Sequence, residues 1–162
     1  MKKVFVFFIL FIVVCFGLTA QNADVISDII SHKNVVWSDL TYLVYYMDEK
    51  NASSGENLNP ENTFEIFSRN GLVPSGVTEN SLLRYDDMAH FMYNAFRGIK
   101  RTSVMYNIRN SRHYAFRQLK TDGLILDSVF PADKISGFRL VTFIGDFYDK
   151  YNEKFFSLNL QD

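Results

Sequence analysis

Two short stretches carry the residues with the most obvious chemical capacity. "DDMAHF" sets Asp86 and His90 four apart, one face of a helix, where a carboxylate and an imidazole could share a metal. A third ligand would have to come from His113 or beyond, and no spacing marks one. An acidic first turn complementing the helix dipole explains Asp86 and Asp87 equally well. Glu61 and Glu65 are the carboxylates that could pair as in sugar hydrolysis, yet Glu61 also fits a first-turn acid. The chain has no HExxH, no nucleophile elbow and no phosphate-cradling glycine loop. The expectation is a non-enzymatic protein with no metal or other cofactor, with an uncharacterised hydrolase kept as an alternative.

Charge singles out a third stretch. Arg97, Lys100, Arg101, Arg109, Arg112, Arg117 and Lys120 follow one another with no acid between Asp87 and Asp122, and Tyr106, His113 and Tyr114 interleave with them. Arginines fork onto carboxylate or phosphate and tyrosines stack on sugars, so the run reads as a surface for an anionic partner. The expected ligand-binding residues are Arg97, Lys100, Arg101, Arg109, Arg112, His113, Tyr114 and Arg117. A solvated connector balanced by acids from elsewhere would show the same composition. Arg109 and Arg112 fall outside the apolar stripes, so both are expected to be exchangeable without loss of stability.

The compartment is read from the first twenty residues. Lys2 and Lys3 precede an apolar run from Val4 to about Leu18, and Thr19 and Ala20 precede Gln21, the layout of a secretory signal peptide cut after Ala20. About 15 apolar residues fall short of a bilayer span. Cys15 follows Val14, where a lipidation signal prefers a small residue. Removing residues 1–20 takes away the single cysteine and two lysines, leaving 142 residues with net charge −3. A cysteine-free exported chain suits a bacterial periplasm or cell surface. There a nucleic-acid partner, which would match the same basic run, is out of place. No integral membrane span is expected in the mature chain.

The elements that must position these residues show an internal period. Laid without gaps at an offset of 52, residues 59–98 face 111–150: Phe64 meets Phe116, Phe67 meets Leu119, Leu72 meets Leu124, Leu83 meets Ile135, Phe91 meets Phe143. Identities number only 5 of 40, so the match is one of pattern. Asn59 before Pro60, and Ser111 in the second copy, read as helix N-caps. Gly71 and Gly123 read as left-handed helix ends, whereas Gly76 reads as an ordinary loop glycine. Second helices follow, with Met88, Phe91, Met92, Ala95 and Phe96 mirrored by Leu140, Phe143, Ile144, Phe147 and Tyr148. A divergent copy at an offset of 48 sets Trp37 against Tyr85 and Asp39 against Asp87, after a helix at Asp24–His32 that lacks the glycine ending. The expected fold is all-α: two to three helix-loop-helix units (about 22–48, 59–98 and 111–151) packed as one domain over 21–151, with a tail at 152–162. Asp48–Asn59 is expected to be a flexible loop, and Arg101–Asn110 a connector with room for a short extended piece.

"AFRQLKTDGLI" followed by "FPADKISGFRLVTFIGDFY" resembles the S-layer homology module, in which a helix, an "L…GI" turn, an "F.P" loop and an "ITRAE" segment lead into a second helix. The resemblance covers Val35–Tyr151 in outline and is strongest in the last unit, where Phe130 and Pro131 also fit. It implies a noncovalent anchor to a cell-wall polymer, or a binder of another envelope protein. The "TRAE" positions hold Arg84-Tyr85-Asp86-Asp87, Ser136-Gly137-Phe138-Arg139 and Val36-Trp37-Ser38-Asp39, so only Asp87 and Asp39 keep the acid. An alternative is a periplasmic scaffold or accessory subunit whose tail "KFFSLNLQD", Lys154–Asp162, docks into a partner. Mass analysis of the exported chain is expected to find Gln21 at the N-terminus and no lipid; an acylated Cys15 would overturn the cleavage site.

Overall fold

The computed structural model describes residues 23–54, 56–97, 99, 103–151, 157–158 and 160, so the signal-like segment lies outside it. The described chain is mostly helical. A helix α1 spans 23–31, followed by α2 Trp37–Met47, α3 Glu49–Ser53, α4 Pro60–Arg69, α5 Tyr85–Ala95, α6 Val104–Ile108, α7 Arg112–Thr121 and α8 Gly137–Tyr151. Two-residue strands β1 Phe96–Arg97 and β2 Ser157–Leu158 pair antiparallel.

Local chemistry sets the helix limits. Asn59 accepts the Asn62 N–H at 2.8 Å and Pro60 takes the first helical position of α4, as its missing N–H allows. Ser111 stands at the N-cap of α7, but its side chain makes no cap hydrogen bond. Both α4 and α7 end in a Schellman turn. The Leu72 N–H reaches the Phe67 carbonyl and Gly71 reaches Ser68; in the second case Leu124 reaches Leu119 and Gly123 reaches Lys120. Gly71 and Gly123 sit at φ +69° and +76°. Gly76, expected to be ordinary, sits at φ +82°, because the Val77 N–H closes onto the Pro74 carbonyl and a type II turn needs a left-handed residue there.

Packing joins each second helix to the first helix of the following pair: α2 lies on α4, α5 on α7, and α2 also meets α8. The core is one cluster drawn from all of these, with Trp37, Phe67 and Phe91 edge to face at its centre (5.7 and 5.2 Å between centroids). At the hub, three loops hydrogen-bond in a closed ring. The Trp37 N–H donates to Ser81 O, Tyr85 N–H to Asp133 O, and Gly137 N–H to His32 O, at 3.1, 3.2 and 2.8 Å. Val35, Leu83 and Ile135 are buried beside them; Val35 N–H donates to Ile135 O, and Leu83 N–H to Val35 O. Gly137 stands where the other two loops carry Trp37 and Tyr85. A Cβ there would lie 1.6 Å from the Ile29 carbonyl oxygen, so the third loop closes the ring only because its residue has no side chain.

Two connector expectations are corrected. Asp48–Asn59 contains α3, capped by the Asp48 carboxylate on the Lys50 N–H at 2.9 Å. Arg101–Asn110, where a short extended piece was expected, contains the helix α6 among its described residues, capped by Ser103 and anchored by its fully buried Tyr106. The extended piece is β1, which lies earlier in the chain and pairs Phe96 with Leu158. Leu158 is buried and its N–H reaches Asp48 Oδ2 at 3.2 Å, so this part of the tail is bound to its own domain; Phe155 and Phe156 lie outside the described residues.

Glycine substitutions test this backbone. Gly71→Ala, Gly76→Ala and Gly123→Ala are each expected to lower stability in denaturant melts by about 1 kcal/mol, from the left-handed backbone alone, as no atom crowds them. Gly137→Ala is expected to cost roughly 3 kcal/mol by collision. Gly145→Ala, mid-helix and uncrowded, is expected to stabilise by about 0.5 kcal/mol.

Candidate binding site

The structure divides the basic run. Lys100, Arg101 and the side chain of Arg97 lie outside the described residues. Arg109 is exposed at the C-terminus of α6 and Arg117 is exposed on α7, and neither forms an ion pair among the described residues. Arg112 donates to Asp87 Oδ1 at 2.6 Å, and Asp87 is nearly buried. The expectation that Arg112 is exchangeable is therefore corrected, because its charge neutralises a buried carboxylate of the preceding pair. Tyr106 also leaves the predicted surface: it is fully buried, edge-on to Tyr93 at 5.3 Å. Tyr114 is half-buried against the core, with the exposed His113 ring at its edge.

The candidate acids are engaged within the protein as well. Asp86 accepts from Arg84 Nε and an Arg84 NH2 group at 3.1 and 2.8 Å, while the other Arg84 contact reaches Asp87 at 3.9 Å. Asp39 accepts the Val36 N–H at 2.9 Å, capping α2, and lies 3.0 Å from His32 Nδ1. Asp39 and Asp87, the two acids kept at the "TRAE" sites, thus face their own protein. Glu65 pairs with the exposed Arg69 along α4. Among the described residues no three metal-ligating side chains group together, His90 and Asp86 included.

A groove of about 600 Å³ opens between the turn after α4, the outer face of α5 and the start of α7. Leu72, Val73 and Pro74 form one wall; His90, Asn94, Asn110 and Arg112 bring polar groups, and no carboxylate lines it. Asn110 Nδ2 reaches across to Asn94 Oδ1 at 3.4 Å. A smaller groove of about 170 Å³ lies 52 residues on, where Leu124, Ile125, Leu126, Thr142 and Asp146 take the places of Leu72, Val73, Pro74, His90 and Asn94. The wider groove therefore carries Arg112 and the amides of Asn94 and Asn110, whereas the narrower one carries Arg139 together with Asp146. Sequence reasoning missed Asn94 and Asn110, because their approach depends on how α5 meets the loop before α7. His90 was visible only as a metal candidate.

Tyr93, which lines the wider groove, belongs to a partly buried cluster of hydroxyl, amide and carboxylate groups. Tyr93 and Tyr151 donate to Asp122 Oδ2 at 3.0 and 2.6 Å, and Gln118 Nε2 donates to both oxygens at 2.9 Å. Burial, aided by the neighbouring Tyr151 and Asp122, pushes the Tyr93 hydroxyl far above the usual tyrosine range; burial and Asp122 raise Tyr151 similarly. Both hydroxyls stay protonated donors at any physiological pH. The arrangement offers amide hydrogen bonds and the exposed part of a guanidinium already paired with Asp87 over an apolar wall, which suits recognition of a hydroxylated ligand carrying an acidic group. Compared with known protein families, curated proteins and solved structures, the chain matches none of them. Among the described residues no helix is long and apolar enough to cross a membrane.

Exchange of the two arginines separates their roles. Arg112→Gln is expected to lower stability by about 1 to 2 kcal/mol, since Asp87 then keeps only the more distant Arg84. Arg109→Gln is expected to change it by less than about 0.5 kcal/mol. Urea melts of the two variants check the difference.

Proposed function

We propose that this chain is a non-enzymatic, exported cell-envelope protein built of three divergent S-layer-homology-like units, and that it holds a segment of anionic wall polymer in the groove between α5 and α7. The observation that supports this reading most is the recurrence of that groove at a 52-residue offset, with Leu72–Pro74, His90 and Asn94 answered by Leu124–Leu126, Thr142 and Asp146. Such recurrence favours copies of one ligand-holding module over an accidental pair of hairpins. Within it, the wider groove has Arg112 and two amides with no carboxylate in its lining, whereas the narrower one carries Asp146 as well as its own Arg139 and so favours an anion less. A non-catalytic role fits the use of Asp39, Asp86 and Asp87 as internal partners of backbone and arginine groups. The signal-like N-terminus supports a periplasmic or cell-surface location in this reading.

Sedimentation with isolated wall sacculi, intact or stripped of their anionic polymer, tests the assignment. Retention is expected on intact sacculi only, weakening as salt rises. Asn94→Asp copies the narrower groove and keeps the acceptor for Asn110, so it is expected to weaken retention roughly tenfold with stability unchanged. Asp146→Asn is expected to leave retention as it was. Equal retention on stripped sacculi, or an unaffected Asn94→Asp variant, would overturn the proposal.

A further inference from the structure

The α6 insertion lies outside the recurring helix pairs and has a face of its own. On its inner side Tyr106 is fully buried, and the Ser103 N–H that precedes the helix is held by Gln118 Oε1 at 2.7 Å. Helical spacing turns Val104, Met105 and Ile108 to the opposite side, and they are 70, 44 and 70% exposed. Among the described residues, nothing covers these aliphatic side chains, which stand side by side on one short helix. Around them every charge in the chain from residue 88 to 121 is positive. Arg109 follows directly on α6, Arg117 faces it from α7, and Lys100 and Arg101 precede it within four residues of sequence. A groove of about 310 Å³ adjoins Met105, lined also by Ser103, Tyr114, Arg117 and Thr121. It offers one guanidinium with hydroxyl groups at the edge of an aliphatic patch.

We infer that α6 docks this protein onto an anionic phospholipid bilayer, with Val104, Met105 and Ile108 entering the headgroup and acyl boundary and a lipid phosphate seated against Arg117. Three aliphatic side chains on a five-residue helix are far too few for a stable protein interface, which takes about 20 to 30 residues a side. They are enough for shallow insertion when flanked by cations such as Arg109 and Arg117, because apolar burial and attraction to anionic headgroups then add. Tyr106 fixes α6 to the core, so the helix meets the surface already folded and with its orientation set. This inference is independent of the polymer reading, since its residues line a different face from the α5–α7 groove, and the two tests use different variants.

Tryptophan at the tip of α6 reports the contact. In full-length Val104→Trp, the native Trp37 is 2% exposed and supplies a constant background. With phosphatidylcholine vesicles containing phosphatidylglycerol, the added indole is expected to shift to the blue and to be quenched by brominated acyl chains. Pure phosphatidylcholine vesicles are expected to give neither response. Adding Arg109→Gln and Arg117→Gln is expected to raise the lipid concentration for half-binding by roughly 30-fold. A lack of quenching in anionic vesicles, equal quenching in neutral ones, or unchanged binding by the arginine variant would each overturn the docking. Displacement from vesicles by millimolar inorganic phosphate would assign the Arg117 groove to a free anion and overturn it too.

Discussion

The structure depends on a ring of three backbone hydrogen bonds. The residues entering α2, α5 and α8 each donate an N–H to a carbonyl in another loop, Trp37 to Ser81, Tyr85 to Asp133 and Gly137 to His32. Each of these N–H groups belongs to the first turn of a helix, where no intrahelical acceptor exists. Satisfying them across the hub rather than with water joins helix initiation to assembly of the domain. The buried trio Val35, Leu83 and Ile135 excludes solvent from the same place, and the helix contacts of α2 with α4 and of α5 with α7 follow from how the ring orients each loop.

Closing such a ring with a single chain demands departures from symmetry. The third loop meets the backbone of α1 at Ile29, and only glycine fits at residue 137. The second pair reaches the third through charge: Arg112, at the start of α7, neutralises Asp87 near the start of α5. Farther along, Asp122 at the end of α7 gathers Tyr93 from α5 and Tyr151 from α8. Burial of these donors excludes water, which strengthens each hydrogen bond and makes an incomplete cluster costly. Tyr93 links this seam to the wider groove, whose lining it shares with the turn after α4, the rest of α5 and the start of α7.

Helix limits, the all-α class and the glycine turns were legible in the sequence, because capping and hydrophobic spacing act over a few residues. Asn59 with Pro60, the "NG" and "DG" endings and the stripes of α5 and α8 show in the structure as the residues imply, except that Phe96, read as part of the α5 stripe, opens β1 instead. Gly76 was misread for want of a local signal beyond Pro74. The connectors were misread for a different reason: α3 and α6 are too short for periodicity to reveal them, and each is held by contacts with distant residues, such as Ser103 with Gln118.

The basic run marks the limit between the two kinds of information. Its composition, seven cations without an acid, is a property of the chain alone and is enough to raise the question of an anionic partner. Which of its side chains face that partner is decided by tertiary structure. Arg112 is drawn to a buried Asp87, Tyr106 is turned into the core, and Arg109 and Arg117 are left at the surface beside an aliphatic patch. The physical reason is that charge and apolarity belong to a residue wherever it sits, whereas burial and pairing are set by neighbours that the fold brings in from far along the chain.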